Sequence, residues 1–218
     1  MTKKIFCAIM MVVVLSTAAF GQSGKSAKEV RQQNFIFGPK VSLYSPMQNA
    51  VSNTTAITDM INGLNPGIQL GGYMRGIIPI KKSKFALYAQ LEAAWAMDFY
   101  VGGGGSASEG VVYVPLTIGG GYKLNSDITL RIDGGAGYNI NCYNTANPAF
   151  KGEDDKYAED LAELIVREPW GWLVNVGADW KDWTFDVRYQ NQFKSKKATR
   201  IADEARFSSI GIVVGYRF

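Results

Sequence analysis

Histidine is absent from the 218 residues, and cysteine occurs only twice, as Cys7 and Cys142. Without histidine the chain cannot build the base that Ser-His and related catalytic sites use, and a zinc site would lack its commonest ligand. Charged residues make up only 19% of the chain, with a net charge of +4 and no dense basic block, which argues against nucleic-acid binding. Beyond the N-terminal segment, no apolar run is long enough for a membrane-spanning helix.

The N-terminal segment has the organisation of a secretory signal peptide. A basic pair at residues 3–4 precedes an apolar stretch over residues 5–20, and the sequence AFG offers a small-x-small cleavage site before Gln22. The alternative is an uncleaved membrane anchor, but the stretch is short for a span and polar residues follow it at once. We expect cleavage, which would remove Cys7 and leave Cys142 without an intrachain partner.

Most of the remaining sequence alternates between apolar and polar residues, the pattern of half-buried β-strands. In the stretch ITLRIDGGAGYNINC, for example, Leu130 and Ile132 alternate with Arg131 and Asp133. Eight such segments follow one another along the chain. Their connections alternate too, with short links around residues 81–83, 125–126 and 181–182 and long links over about 45–67, 99–110, 143–168 and 194–205.

This alternation of link lengths favours a membrane barrel, because such barrels keep short turns on the periplasmic side and long loops outside. An apolar face on every strand needs no cover in hydrocarbon, provided that closure of the sheet pairs all backbone polar groups. We therefore predict an all-β fold, an eight-stranded antiparallel transmembrane β-barrel with short periplasmic turns and long external loops. A soluble periplasmic ligand-binding barrel is the alternative. The predicted parts are a cleaved signal peptide over residues 1–21, a periplasmic N-terminal segment over 22–33 and an outer-membrane barrel domain over 34–218.

The second face of each predicted strand must point into the barrel, and it carries charges of both signs. An eight-stranded barrel is just wide enough to be filled by its own side chains. Charges in so narrow an interior are tolerated only when they are paired, so we predict a polar plug without an open channel. A proton or ion path is the alternative. The predicted interior network consists of Lys40, Arg75, Glu92, Asp98, Arg131, Asp133, Asp179, Asp186, Arg188 and Arg217.

Four stretches resemble the PorT-like family of outer-membrane β-barrels, small barrels related in architecture to the OmpA and OmpX type. They are LYAQLEAAW, VPLTIGGGYKL, FDVRYQNQF and IGIVVGYRF, in the third, fourth, seventh and eighth predicted strands. The resemblance implies a place in the outer membrane of a Gram-negative bacterium, and it implies fold more than activity. PorT itself is associated with a type IX secretion system, so an accessory role in a secretion or assembly complex is also implied. The aromatics Tyr216 and Phe218 resemble the signal that the barrel-assembly machinery recognises, which implies that machinery as an insertion partner.

No motif for catalysis or cofactor binding is present. GGGGSASEG lacks the Lys-Ser/Thr ending of a P-loop, and GEDDKYAED lacks the ligand spacing of an EF-hand. We therefore expect no enzyme activity, cofactor or metal, and a barrel that acts structurally or by binding a partner protein, a surface or lipopolysaccharide through its external loops. A basic loop with Lys194, Lys196, Lys197 and Arg200 is the candidate for contact with lipopolysaccharide phosphates; the alternative is an ordinary solvated loop.

Overall fold

A computed structural model describes residues 35–52, 65–102, 105–148, 168–193 and 202–218 of the chain. Within these ranges the chain forms eight β-strands, and both predicted N-terminal segments lie outside them. The strands are β1 (Phe35–Ser52), β2 (Gly67–Pro79), β3 (Phe85–Gly102), β4 (Gly105–Lys123), β5 (Ile128–Pro148), β6 (Trp170–Trp180), β7 (Trp183–Gln192) and β8 (Ala202–Tyr216).

The eight strands form one closed barrel in which every strand is antiparallel to both neighbours. Closure comes from β1 and β8, whose register runs from Lys40 opposite Gly215 to Ser52 opposite Ala202. Beyond this ladder, the Phe218 amide donates to the Phe37 carbonyl at 3.0 Å. Because the ring is closed, the strand order leaves no sheet edge running the length of the barrel. No helix in the described part of the chain has the length and apolar character needed to cross a bilayer.

Exposure alternates from residue to residue, with apolar side chains outside. Ile132 is 59% exposed, whereas Arg131 and Asp133 on either side of it are each 4% exposed. The strand β7 repeats the pattern along its whole length, with exposed Trp183 and Val187 on the outer face. This arrangement suits hydrocarbon outside and a polar filling inside. The protein is a transmembrane β-barrel, as the sequence predicts.

Short turns close one end of the barrel, which we call the turn end. They occupy residues 80–84, 124–127 and 181–182, where the short links were predicted. The backbones of Lys82 and Lys181 take positive φ values of 59° and 53°. The Asn125 side chain accepts from the amides of Asp127 and Ile128 at 2.9 and 2.8 Å, which holds the second turn.

The opposite, loop end differs from the prediction at the link between the third and fourth strands. The sequence predicts a long loop over about 99–110, but β3 continues to Gly102 and β4 begins at Gly105, so only two residues separate them. The reason is that Gly and Ser can extend an antiparallel ladder through their backbones alone, without the apolar alternation that marks a strand in sequence. The strands β1, β5 and β8 also extend into predicted loops, to Ser52, to Pro148 and from Ala202.

Cys142 lies at an irregularity of the β4–β5 ladder. It is the extra residue at a bulge between β4 and β5, because Val111 lies opposite Asn141 and Gly110 opposite Tyr143. The expectation that Cys142 lacks an intrachain partner concerns the chain after cleavage of the signal peptide, so it stays a prediction. The other cysteine of the sequence, Cys7, lies outside the described residues.

Candidate functional site

Eight charged side chains inside the barrel form a cluster that we call the ionic core. It contains four cations and four anions, and no member is more than 7% exposed. Each occupies an inward position of a strand, because inward and outward residues alternate along the sheet. The ionic core consists of Lys40 on β1, Arg75 on β2, Glu92 on β3, Arg131 and Asp133 on β5, Asp179 on β6, and Asp186 and Arg188 on β7.

Glu92 is the most connected anion of the ionic core. The Arg188 Nη2 donates to both of its carboxylate oxygens at 2.8 Å, and the Lys40 Nζ donates to Oε1 at 2.9 Å. Gln90 adds a fourth contact, because its Nε2 donates to the same Oε1 at 2.6 Å. Arg188 is held in turn by Asn175, whose Oδ1 accepts from the Arg188 Nε at 2.8 Å. Three of these four contacts meet at Oε1, and Oε2 accepts from Arg188.

Asp179 is the second centre of the ionic core. The Arg75 Nη1 lies 3.0 Å from its Oδ2, and the Arg131 Nε lies 2.9 Å from its Oδ1. Arg131 also reaches Asp186, with Nη2 and Oδ1 2.7 Å apart. The Lys40 Nζ lies 3.5 Å from the Asp186 Oδ2, so Asp186 joins this centre to the one at Glu92.

Asp133 is held mainly by neutral donors. Its Oδ2 accepts from the Tyr88 hydroxyl at 2.7 Å, and its Oδ1 accepts from the Asn175 Nδ2 at 2.6 Å. The nearest cation is Arg131, with Nη1 4.0 Å from Oδ2. The Arg75 guanidinium packs over the Tyr88 ring at 5.0 Å from the ring centre. Tyr88 therefore contacts both Asp133 and Arg75, the partner of Asp179.

Two ion pairs of the ionic core cross the whole lumen. In a ring of eight strands, β3 lies opposite β7 and β2 lies opposite β6. The pair Glu92–Arg188 joins β3 to β7, and the pair Arg75–Asp179 joins β2 to β6. Side chains that meet across the full diameter divide the lumen at their level. The arrangement is also costly to disturb, because loss of one partner leaves a buried charge uncompensated.

Two residues expected in the interior network lie apart from the ionic core. Asp98 is buried at the loop end, where it accepts from the Tyr44 hydroxyl. Arg217 lies at the turn end instead of inside, with its Nε 3.8 Å from the Asp182 Oδ1 and its side chain 21% exposed. Arg217 follows the last residue of β8 and lies beside the turn at residues 181–182, so the wall covers it only in part.

Glu109 is a buried carboxylate that the sequence reading did not place inside the barrel. It is fully buried on β4, opposite Asp98 in the register with β3. The sequence analysis assigned it to the second long link, over about residues 99–110. The alternation of Glu109, Val111 and Tyr113 on one face was the pattern that could have placed it, since all three point inward. Aromatic residues fill the same end of the lumen, namely Tyr100, Tyr113 and Phe207.

Aromatic side chains on the outer surface form two belts near the strand ends. At the loop end, Tyr138 and Trp170 stack with ring centres 4.7 Å apart, and Trp172 and Tyr189 are 5.5 Å apart. At the turn end the pairs are Phe85–Tyr122 at 4.8 Å, Trp183–Tyr216 at 5.2 Å and Phe37–Phe218 at 6.0 Å. Aromatic belts of this kind mark the two membrane–water interfaces of a barrel.

The remaining candidate residues lie at the turn end or outside the described ranges. Tyr216 and Phe218 lie in the turn-end belt, with ring centres 5.4 Å apart. Within the described ranges, no group of three or more Cys, Asp or Glu residues is arranged to hold a metal ion. The predicted lipopolysaccharide contacts lie outside the described residues: Lys194, Lys196, Lys197 and Arg200.

No family model matches the sequence, and no curated protein is similar to it at a meaningful level. Among solved structures, the chain is similar to the attachment invasion locus protein Ail of Yersinia pestis, with 11% identity over 85% of this chain and 100% of that chain and a TM-score of 0.39. It is similar to Neisserial surface protein A, with 10% identity over 85% and 98% and a TM-score of 0.42. It is also similar to the outer membrane enzyme PagL, with 9% identity over 80% and 97% and a TM-score of 0.38. Likenesses at this level say nothing about function.

Proposed function

We propose that the chain is a non-enzymatic outer-membrane barrel of a Gram-negative bacterium that acts by contact through its external end. The observation that carries this proposal is the crossing of the lumen by Glu92–Arg188 and Arg75–Asp179 inside a wall that exposes mainly apolar side chains on its outer face. Ion pairs across the diameter oppose a pore. The Glu92 carboxylate is paired with two cations, Arg188 and Lys40, and is therefore poorly suited to act as a base. We therefore propose that the barrel acts through contacts made at an exposed end.

The described strands support a role for the loop end. The wall formed by β3 and β4 continues to Gly102 and Gly105, past Trp95, whose ring centre lies 6.1 Å from that of Tyr143 near the loop-end belt. Seven further residues of β3 reach about 20 Å along the strand at about 3.3 Å per residue. On this extension Phe99 and Val101 are 41% and 73% exposed. Apolar side chains exposed beyond the lipid boundary are typical of contact surfaces.

Cysteine labelling on intact cells tests the orientation. Ser106 is exposed on the loop-end extension of β4, and Ser126 is exposed in a turn. A membrane-impermeant maleimide should label Ser106→Cys on intact cells, and it should label Ser126→Cys only after the outer membrane is permeabilised. The unsubstituted chain provides the background. Labelling of Ser126→Cys alone on intact cells would show that the barrel is inverted.

Planar-bilayer recording tests closure of the lumen. We expect the purified chain to insert without steady conductance, because the ionic core closes the lumen. The matched variant replaces Glu92 and Arg188 together by Ala, which removes one crossing pair while keeping the remaining charges balanced, and it should conduct more than the native chain. Steady large pores from the native chain would refute the plug and would favour an ion path.

The second candidate is an accessory component of a type IX-like secretion or assembly complex. Its support is the resemblance of β3, β4, β7 and β8 to the PorT-like family. Photo-crosslinking from a reactive residue at Val101, with Ser126 as the turn-end control, separates the two candidates. A stoichiometric product with secretion proteins would favour the accessory role. Products with lipopolysaccharide or with unrelated surface proteins would favour the lone barrel, and recovery of the chain in the soluble periplasmic fraction would refute both.

A further inference from the structure

Four lysines at the turn end form a group that we call the lysine cluster. It consists of Lys81, Lys82 and Lys84 in the turn between β2 and β3, and Lys123 at the end of β4. All four are exposed. The two turns that carry them, residues 80–84 and 123–127, contain a single carboxylate, at Asp127. This sector of the rim is therefore strongly basic.

The backbone holds the two parts of the lysine cluster side by side. The Lys123 amide donates to the Lys84 carbonyl at 2.8 Å, which extends the β3–β4 ladder into the turn region. The first turn is fixed by the Ser83 amide, which donates to the Ile80 carbonyl at 3.0 Å, and by the positive φ of Lys82. The four ammonium groups are therefore tethered to one rigid sector of the rim.

The rest of the turn-end rim is different, because its cations already have partners. Lys181 lies over the Trp180 ring at 5.6 Å from the ring centre. Arg217 lies 3.8 Å from Asp182. In the described part of the chain, no member of the lysine cluster makes an ion pair. Four cations without a counter-charge favour binding of an anion from outside the chain.

The surface directly beside the lysine cluster faces lipid. Phe85 and Tyr122 stack there as part of the turn-end aromatic belt. Further into the membrane, Leu87 and Ile118 are 53% and 70% exposed. Gly120 lies opposite Leu87 with open space outside its backbone, since an added Cβ would meet only one atom, at 3.8 Å. The result is a shallow apolar groove that the Phe85–Tyr122 pair separates from the lysines.

We infer that the lysine cluster binds the headgroup phosphate of an anionic phospholipid, with an acyl chain along the groove at Gly120. Aromatic belts lie at headgroup depth, and lysine side chains just beyond a belt reach the phosphate level. A cluster of several lysines at a membrane surface is the arrangement that selects anionic over zwitterionic lipid. The inference rests on the proposed function for its orientation, which makes the lipid one of the periplasmic leaflet.

Native mass spectrometry of the full chain tests this inference. The chain, held in detergent, is offered equal amounts of phosphatidylglycerol and phosphatidylcholine with identical acyl chains. We expect the native chain to retain phosphatidylglycerol with roughly a tenfold preference or more, since each nearby lysine contributes to the attraction. The triple variant Lys81→Gln, Lys84→Gln, Lys123→Gln should fall to near parity. The matched variant Lys181→Gln, on the partnered side of the rim, should keep the native preference.

Equal retention of the two lipids by the native chain would overturn the inference, and so would an unchanged preference in the triple variant. A heat-dependent shift on gels reports folding of each variant, so a folded barrel without selectivity refutes the lipid site while leaving the proposed function intact. If the triple variant does not fold, the native chain is measured in about 1 M salt, where the screening length falls to about 3 Å. A preference that survives this salt would also overturn the inference.

Discussion

Replacement of Glu92 by Gln tests the ionic core most directly. Gln keeps the length and volume of the side chain but removes the negative charge that Arg188 and Lys40 contact at 2.8 and 2.9 Å. Both cations are almost fully buried, so water cannot compensate them. Among its ion pairs Lys40 keeps the longer one, with Asp186 at 3.5 Å. The substitution therefore isolates a charge effect from a packing effect.

We expect Glu92→Gln to lower the free energy of unfolding by about 3–5 kcal/mol, the range for breaking a buried ion pair by removing one partner. The double variant Glu92→Gln with Lys40→Met removes one charge of each sign and should lose less than the sum of the two single losses. Asp182→Asn is the matched control. Its partner Arg217 lies 3.8 Å away in a partly exposed pair, so we expect a loss of no more than about 1 kcal/mol.

The measurement is urea unfolding of the barrel in lipid vesicles, followed by tryptophan fluorescence and by the heat-dependent gel shift. A loss below about 1 kcal/mol for Glu92→Gln would refute the reasoning, because a compensated charge of this kind cannot be removed so cheaply. Strict additivity in the double variant would refute it too. Equal losses for Glu92→Gln and Asp182→Asn would mean that burial does not set the cost.

Three further predictions concern the wall and the processing of the chain. Ile132→Arg places a charge on the lipid face and should cost about 2–4 kcal/mol and reduce the folded fraction on gels, whereas Ile132→Ala should assemble normally. Gly137→Ala should destabilise the barrel by about 1–3 kcal/mol in the same urea assay, because the added Cβ would lie 2.5 Å from the Tyr113 ring. Adding Tyr113→Ala to this variant should restore part of the lost stability. Protein extracted from membranes should begin at Gln22 on N-terminal sequencing; an intact N-terminus with Cys142 blocked to alkylation would refute the signal-peptide interpretation.

The faces of the strands could be predicted from sequence because side chains alternate strictly in and out. Leu130 and Ile132 are exposed outside, and Arg131 and Asp133 are buried inside, which the alternation alone implies. The prediction of strand faces is simplest where strands cross the lipid, because outward residues there must be apolar. The prediction was wrong where the outer face meets water, as at Phe99 to Gly110, because polar and glycine-rich strands then look like loops.

The partners within the ionic core could not be predicted from sequence. Arg75 meets Asp179 across 104 residues of separation, and the contact exists only because the register and tilt of the closed sheet bring both to the same level. Alternation places a residue on the inner face but gives no height along the barrel axis. For the same reason Arg217 was expected inside, although the wall ends at Tyr216 and leaves it at the rim.

The pairing of β1 with β8 has a consequence for biogenesis. The strand β1 is synthesised first of the eight, but one of its two neighbours, β8, is synthesised last of the eight. The barrel therefore cannot close until β8 has been made. Contacts between residues so distant in sequence form slowly. Until they form, exposed apolar side chains and unpaired backbone amides favour aggregation. The first strand therefore keeps one unpaired edge until the last strand has been made.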